Sequence, residues 1–336
     1  MAYTGAVISL REGDKARIRS EAYAVLEREL PEADYRDIAK GSSFRRDVAA
    51  NADHFFQQLR FYRIRPLYVR TLALLHSAGV PYVQATRVIS AASFFLLGIL
   101  LFAWSKTYLG EWRAAIAIPL LLIAPVIFTS ARTGSPDGMS ALAVTFGVYV
   151  IFERQRWLLG AAILLLSLFI RTDNVIFILI LFAWLALTLS SSGKRAVAAG
   201  FALLGLALVL VLNRVEHSFS WPVLMQNTAN PIVNPAEVAP TFGMTEYLSA
   251  VHDMVDEAAE SSALVFPFLA ALALLSRKLS RDWTRLIEIV LLSWAAHVIL
   301  FPHIEDRYFV AGAALIGVGS ATALLSPQVP QEKVNA

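Results

Sequence analysis

Three short polar stretches interrupt an otherwise apolar chain, and their side chains are the ones able to do chemistry. The first reads Ala131-Arg132-Thr133-Gly134-Ser135-Pro136-Asp137-Gly138, the second Ile170-Arg171-Thr172-Asp173-Asn174, and the third Pro302-His303-Ile304-Glu305-Asp306-Arg307-Tyr308-Phe309. Carboxylates at the mouth of a helix bundle can act as general bases or bind a divalent cation. Arginines beside them suit bidentate capture of phosphate oxygens. Asp137, Asp173, Glu305 and Asp306, with Arg171 and Arg307, therefore fit a reaction on a phosphate-bearing lipid. Plainer readings stand beside this one. Asp137 can cap the helix that follows it, and Arg171 with Asp173 can form an ion pair and a cap. The run from His303 to Arg307 is harder to explain as capping, because polar groups at membrane depth are costly and default to function.

The elements that must position these groups are transmembrane. The chain has 336 residues, 57% hydrophobic and 16% charged, with a net charge of +3 and a mean hydropathy of +0.58. Soluble domains carry about 45–50% apolar and about 25% charged residues, so an ordinary water-soluble enzyme is excluded. There is no cysteine, which excludes thiol catalysis and Cys-ligated zinc. Long apolar runs near 85–104, 114–131, 138–152, 157–170, 174–190, 196–212, 262–276, 286–301 and 308–325 predict an all-α polytopic transmembrane helix bundle of about nine spans. Several are short for a full crossing, and 138–152 with 157–170 can also be read as one re-entrant hairpin.

Basic residues set the orientation. Alternate connections hold Lys106, Arg113, Arg154, Arg156, Lys194, Arg195, Arg277, Lys278, Arg281 and Arg285, against Arg132, Arg171, Arg214 and Arg307 in the others. Ten against four puts the first set in the cytoplasm. The three polar stretches then share the outer side with an acidic loop over 213–261, whose Thr245 can cap an amphipathic helix. The expected place is a bacterial inner (plasma) membrane, with acidic loops facing the periplasm or exterior. The same bias puts residues 1–84 outside although they show no signal peptide and are rich in Lys and Arg. The expectation is that a first transmembrane helix precedes Met1.

The chain divides into an external or interfacial region with amphipathic helices over 1–84, the bundle over 85–326, and a short tail over 327–336. Ile18, Ala22, Val25, Leu26 and Leu30 recur at helical spacing, which suits either an interfacial helix or a small soluble subdomain. Phe61-Tyr62-Arg63-Ile64-Arg65-Pro66-Leu67-Tyr68 interleaves cations with aromatics. Directly ahead of membrane helices this reads as an interfacial belt in which Arg63 and Arg65 hold lipid phosphate or simply snorkel, and not as a nucleic-acid site. There is no Walker or dinucleotide loop, no HExxH, and no metal-ligand spacing among the six His. His297 reads as a core histidine within a span. No cofactor is called for by any motif; a divalent cation at the carboxylates is the one candidate.

The belt at 61–68, Ser135-Pro136-Asp137, Arg171-Thr172-Asp173-Asn174 and Glu305-Asp306-Arg307-Tyr308-Phe309 together resemble the bacterial GT-C superfamily of integral membrane glycosyltransferases. The likeness is to the branch related to mannosyltransferase-type and arabinose-transferase-type enzymes. The resemblance implies inverting transfer of a sugar from a polyprenyl-phosphate donor to a lipid or glycan acceptor at the external face. It also implies a catalytic acid early in a long external loop that follows a first transmembrane helix, for which Asp14 and Asp34 are the candidates. Arg63, Arg171 and Arg307 would then stabilise the departing phosphate, while Asp137 and Asp173 orient an ion or sugar hydroxyls. Two other readings fit the same residues, a transporter or flippase for a lipid-linked substrate and a non-catalytic accessory protein of the membrane.

Overall fold

The computed structural model describes residues 1–237 and 243–326; the expected tail over 327–336 and part of the 213–261 loop lie outside the described residues. The described chain is helical, with no strand. Six short helices come first: α1 Ala2–Ile8, α2 Lys15–Glu29, α3 Glu32–Lys40, α4 Ser43–Ala50, α5 Ala52–Arg63 and α6 Pro66–Ser77. Then follow α7 Tyr82–Leu109, α8 Glu111–Leu122, α9 Pro125–Arg132, α10 Asp137–Phe152, α11 Trp157–Ser167, α12 Asn174–Thr188 and α13 Ser192–Val215. The chain ends with α14 Trp221–Ala229, α15 Met244–Glu260, α16 Val265–Leu275, α17 Arg281–Leu300 and α18 Val310–Leu325.

The helices run back and forth between two ends. Near the start of α7, Ser90 donates from its hydroxyl to the carbonyls of Thr133 and Ser135, just ahead of α10. Near the end of α7, Trp104 and Tyr108 donate to the Glu153 carboxylate, just past α10. Helix α10 therefore spans the same depth as α7 in antiparallel sense, and α11 returns beside it. Gly147 and Gly160 let these two approach: a Cβ on Gly160 would stand 2.6 Å from the Gly147 carbonyl oxygen, the close contact that small residues permit between membrane helices. The pair packs as an antiparallel hairpin against the stretch of α7 between Ser90 and Tyr108.

Helix lengths do not confirm the count of nine spans. Among the described residues three helices, α7, α13 and α17, are long and apolar enough to cross a membrane, or up to five if each of two bent pairs is one span. Helices α10, α11, α12 and α18 have 16, 11, 15 and 16 residues. At 1.5 Å per residue they reach about 16–24 Å, short of a hydrocarbon core of about 30 Å. The 114–131 run is broken as well. Helix α8 runs on past Pro119, but Pro125 opens α9 and pushes Ala124 before it out of the helical region, at ψ 131°, so the two helices meet at a 69° bend. The second bent pair, α15 with the helix that follows it, turns by 74°.

The amphipathic tail packs inward. Ile18, Ala22, Val25, Phe55, Leu59, Tyr68 and Leu72 form one buried cluster with Tyr82, Ala85 and Ile89 at the start of α7. The apolar face of α2 thus belongs to this cluster. Its cluster shares α7 with the bundle, so the boundary at 84 cuts through a helix and a core. Two capping expectations also change. Glu246 accepts from the Gly243 amide at 2.9 Å ahead of α15, where Thr245 was expected, and Asp137 makes no cap bond on α10.

Candidate functional site

Asp137 fails to cap because its carboxylate is taken by a cation. The α11–α12 connection is nearly without slack, and Asn174 ties it down by donating to Ser140 Oγ at 2.9 Å and to the Ser167 carbonyl at 3.1 Å. Arg171, held in that turn, donates from Nη1 to Asp137 Oδ1. It also grips Asp173 with a two-pronged fork, Nε to Oδ1 at 3.0 Å and Nη2 to Oδ2 at 2.7 Å. Ser135 Oγ donates to the second Asp137 oxygen at 2.6 Å. Arg171 and Asp137 are 4% and 3% exposed, so these charges are out of water and must be paired to persist.

The third stretch closes over the same group. Tyr308 stands with its ring centroid 5.0 Å from the Arg171 guanidinium carbon and 5.2 Å from that of Arg307, so one aromatic contacts both cations. Arg307 also donates to Glu305, and its side chain is 45% exposed. Arg65 arrives from the N-terminal helices. Pro66 fixes the start of α6, and the Leu67 amide donates to the Phe169 carbonyl at 2.9 Å, pinning that corner to the Arg171 turn. Arg65 donates to the Tyr3 hydroxyl and stacks over Tyr3 and Tyr62. Among the described residues no carboxylate pairs with Arg65 within 4 Å.

The electrostatics follow from these partners. Burial works to raise the Asp173 carboxyl, but the Arg171 guanidinium overrides it by charge and hydrogen bond and holds it well below the usual carboxylate range. Burial opposes the charge on Arg171 too, and Asp173 and Asp137 more than restore it. The Tyr3 hydroxyl is pushed up to about 12 by burial, with Arg65 working against the rise. Glu305 is held below its ordinary value against burial, by His303 and Arg307. A cavity of about 60 Å³ lies behind Asp173, lined by Asn174, Ser293, Trp294, His297 and Tyr308 among others. His297 Nε2 is buried there without a hydrogen-bond partner, so it is not the satisfied core histidine expected.

The sequence candidates thus divide. Asp137, Asp173, Arg65, Arg171, Glu305 and Arg307 converge on one end of the bundle. Arg63 lies at that end but outside the cluster; it pairs with Glu216 at 3.3 Å past the end of α13. Asp306 accepts from Ser261 Oγ at 2.6 Å, from Ser262 Oγ, and from the Ala263 amide at 3.2 Å, so it caps the turn before α16. Asp14 caps α2, accepting from the Arg17 amide at 2.9 Å, and Asp34 is exposed in the first turn of α3. Neither acid touches the cluster. The motifs did not include Tyr3, gave Tyr68, whose buried hydroxyl has no partner, only as part of the belt, and left His297 as a core residue.

A divalent cation does not fit the carboxylates. Asp137 and Asp173 are both committed to Arg171, whose charge would repel a metal, and among the described residues no three of His, Asp and Glu form a metal-holding group. What the arrangement offers instead is anion recognition at its rim: Arg65 has spare donors and Arg307 faces water. No protein-family model, no curated protein and no solved structure matches this chain.

Proposed function

We propose that this chain is a membrane glycosyltransferase that moves a sugar, with inversion, from a polyprenyl-phosphate donor to a lipid or glycan acceptor at the Arg171 end of the bundle. The observation that carries the reading is Arg65. Arg65 is partly buried beside an Arg171–Asp137–Asp173 trio of net charge −1, whose surplus it offsets from beyond ion-pair distance, and with no carboxylate within 4 Å it keeps guanidinium donors free for a phosphate. In this reading Arg65 and Arg307 bind the donor phosphate and stabilise the charge that grows on it as the glycosidic bond breaks. Arg171 is a positioning residue that locks Asp137 and Asp173 against the sugar side, and the cavity behind Asp173 accommodates hydroxyls. Membrane lipids surround the bundle, and the acidic end lies outside the inner membrane.

A non-catalytic accessory role is the second reading, favoured by the complete pairing of Arg171 with two aspartates, which needs no ligand. The experiment that separates the two is complementation of a deletion strain, read by its glycan and glycolipid profile. Arg65→Gln and Arg307→Gln are expected to lose the missing glycolipid. Asp14→Asn and Asp34→Asn are expected to keep it, since one is a helix cap and the other a solvated surface acid. Unchanged profiles with both arginine variants would defeat the enzymatic reading.

A further inference from the structure

The end of the bundle opposite the ionic cluster has its own polar opening. A cavity of about 230 Å³ lies where α10 and α12 end and α11, α13 and α17 begin. Its wall includes the aromatic rings of Trp157 and Trp184 and the charged heads of Lys194, Asp282 and Arg285. Arg285 is held with its guanidinium carbon 5.1 Å from the Trp184 ring. Its nearest carboxylate is Asp282, at 4.0 Å and 62% exposed, too distant for a hydrogen bond and largely screened by water. Lys194 is exposed and has no ion pair or hydrogen bond among the described residues. Two cations therefore face one opening with their donors unspent.

The surroundings are apolar on the outside. Leu158 and Leu159 follow Trp157, Leu187 precedes Thr188 on the cavity wall, and these three leucines are 58%, 51% and 80% exposed. The cavity is smaller than the about 300–1,000 Å³ that enclose a drug-sized molecule, so it suits a headgroup whose chains lie elsewhere. Basic pockets between membrane helices, edged by tryptophan, recognise lipid phosphates.

We propose that this opening binds the phosphate of an anionic phospholipid. Arg285 and Lys194 donate to the phosphate oxygens, Trp184 keeps the Arg285 guanidinium in place, and the acyl chains lie along Leu158, Leu159 and Leu187. The site is separate from the Arg171 end, so it stands or falls independently of the proposed reaction.

The test is native mass spectrometry of the purified full chain in detergent, titrated with phosphatidylglycerol, with phosphatidylcholine, and with phosphatidylglycerol plus millimolar inorganic phosphate. Phosphatidylglycerol is expected to be retained well above phosphatidylcholine and to resist displacement by inorganic phosphate. Removing each charge, in Lys194→Gln and Arg285→Gln, is expected to weaken retention about fivefold, while Arg132→Gln at the opposite end leaves it unchanged. Should Arg285→Gln not fold, Lys194→Gln alone carries the comparison, because its side chain is exposed. Equal retention of the two lipids, or full retention by Lys194→Gln, would overturn the proposal. Displacement by inorganic phosphate would show that the site takes a free anion and not a lipid.

Discussion

Arg171 and Asp137 lie 34 positions apart and form an ion pair with both side chains no more than 5% exposed. The pair joins the start of α10 to the start of α12, with Asp173 completing the guanidinium's fork. Breaking it from one side leaves buried, uncompensated charge. Arg171→Met is therefore expected to destabilise the protein by about 3–5 kcal/mol, read as thermal unfolding in detergent. Arg171→Lys recovers little, because an ammonium cannot serve both carboxylates in that planar geometry. The triple variant Asp137→Asn, Arg171→Met, Asp173→Asn recovers most of the loss, since it removes all three charges together.

The same pairing fixes an acid dependence. Asp173 has a folded pKa depressed by Arg171, so its contribution is complete above the unfolded carboxyl value of about 3.9. It is lost as pH falls below that value and through the depressed folded one. Unfolding temperature should drop below about pH 4 in the native protein and drop less in the triple variant.

His303 gives the opposite sign. Glu305 and Glu257 raise its pKa against partial burial, and its Nδ1 lies 2.8 Å from Glu257 on α15. This contribution is full below the ordinary histidine value of about 6.5 and fades as pH rises through the raised folded one. Amide exchange over 244–260 is expected to quicken between pH 6 and pH 9 beyond the intrinsic base dependence, and His303→Gln should remove that excess.

Asp306 and Arg307 are neighbours with different work. Asp306→Ala strips three donors near the 74° turn into α16 and is expected to cost about 1–3 kcal/mol. Arg307→Gln, with a half-exposed side chain, should stay within about 0.5 kcal/mol of the parent while losing donor binding. Melting curves and lipid-phosphate binding on the two variants, measured together, check the split.

Orientation is testable because the chain has no cysteine. Ser20→Cys and Thr245→Cys, both exposed on the Arg171 side, should react with a membrane-impermeant maleimide added to cells whose outer membrane alone is permeabilised. Ser191→Cys, exposed between α12 and α13 at the other end, should not. The reverse pattern would invert the assignment drawn from basic residues.

Much of this site was legible because charge in an apolar chain has few places to go. Arg171, Asp137 and Arg307 sit in connections that the lysine and arginine bias groups on one side, and the helices bring those connections into contact. The pairing itself was less legible: Asp137 reads as a helix cap from local sequence, and only the tertiary approach of α12 gives it to Arg171. Asp14 is the opposite case: it precedes an amphipathic helix, a local capping signal, and it caps α2. Tyr3 left no signal, because its contact with Arg65 depends on α1 packing Gly5 against Phe55 and Leu59, a long-range contact without periodic trace. The nine-span count is not confirmed for a reason of length. Apolar runs show where helices lie, and Pro125 decides that the 114–131 run is two rods.

Arg65 and Arg307 are expected to hold a lipid phosphate together at the Arg171 end. The measurement is equilibrium binding of a radiolabelled polyprenyl phosphate to the purified full chain, compared with Arg65→Gln, Arg307→Gln and the double variant. Saturable binding that weakens about tenfold in each single variant, as expected for loss of a charge-assisted contact of about 1.5 kcal/mol or more, and is abolished in the double variant, is the predicted result. Binding equal in all four proteins, or absent from the parent, would contradict it.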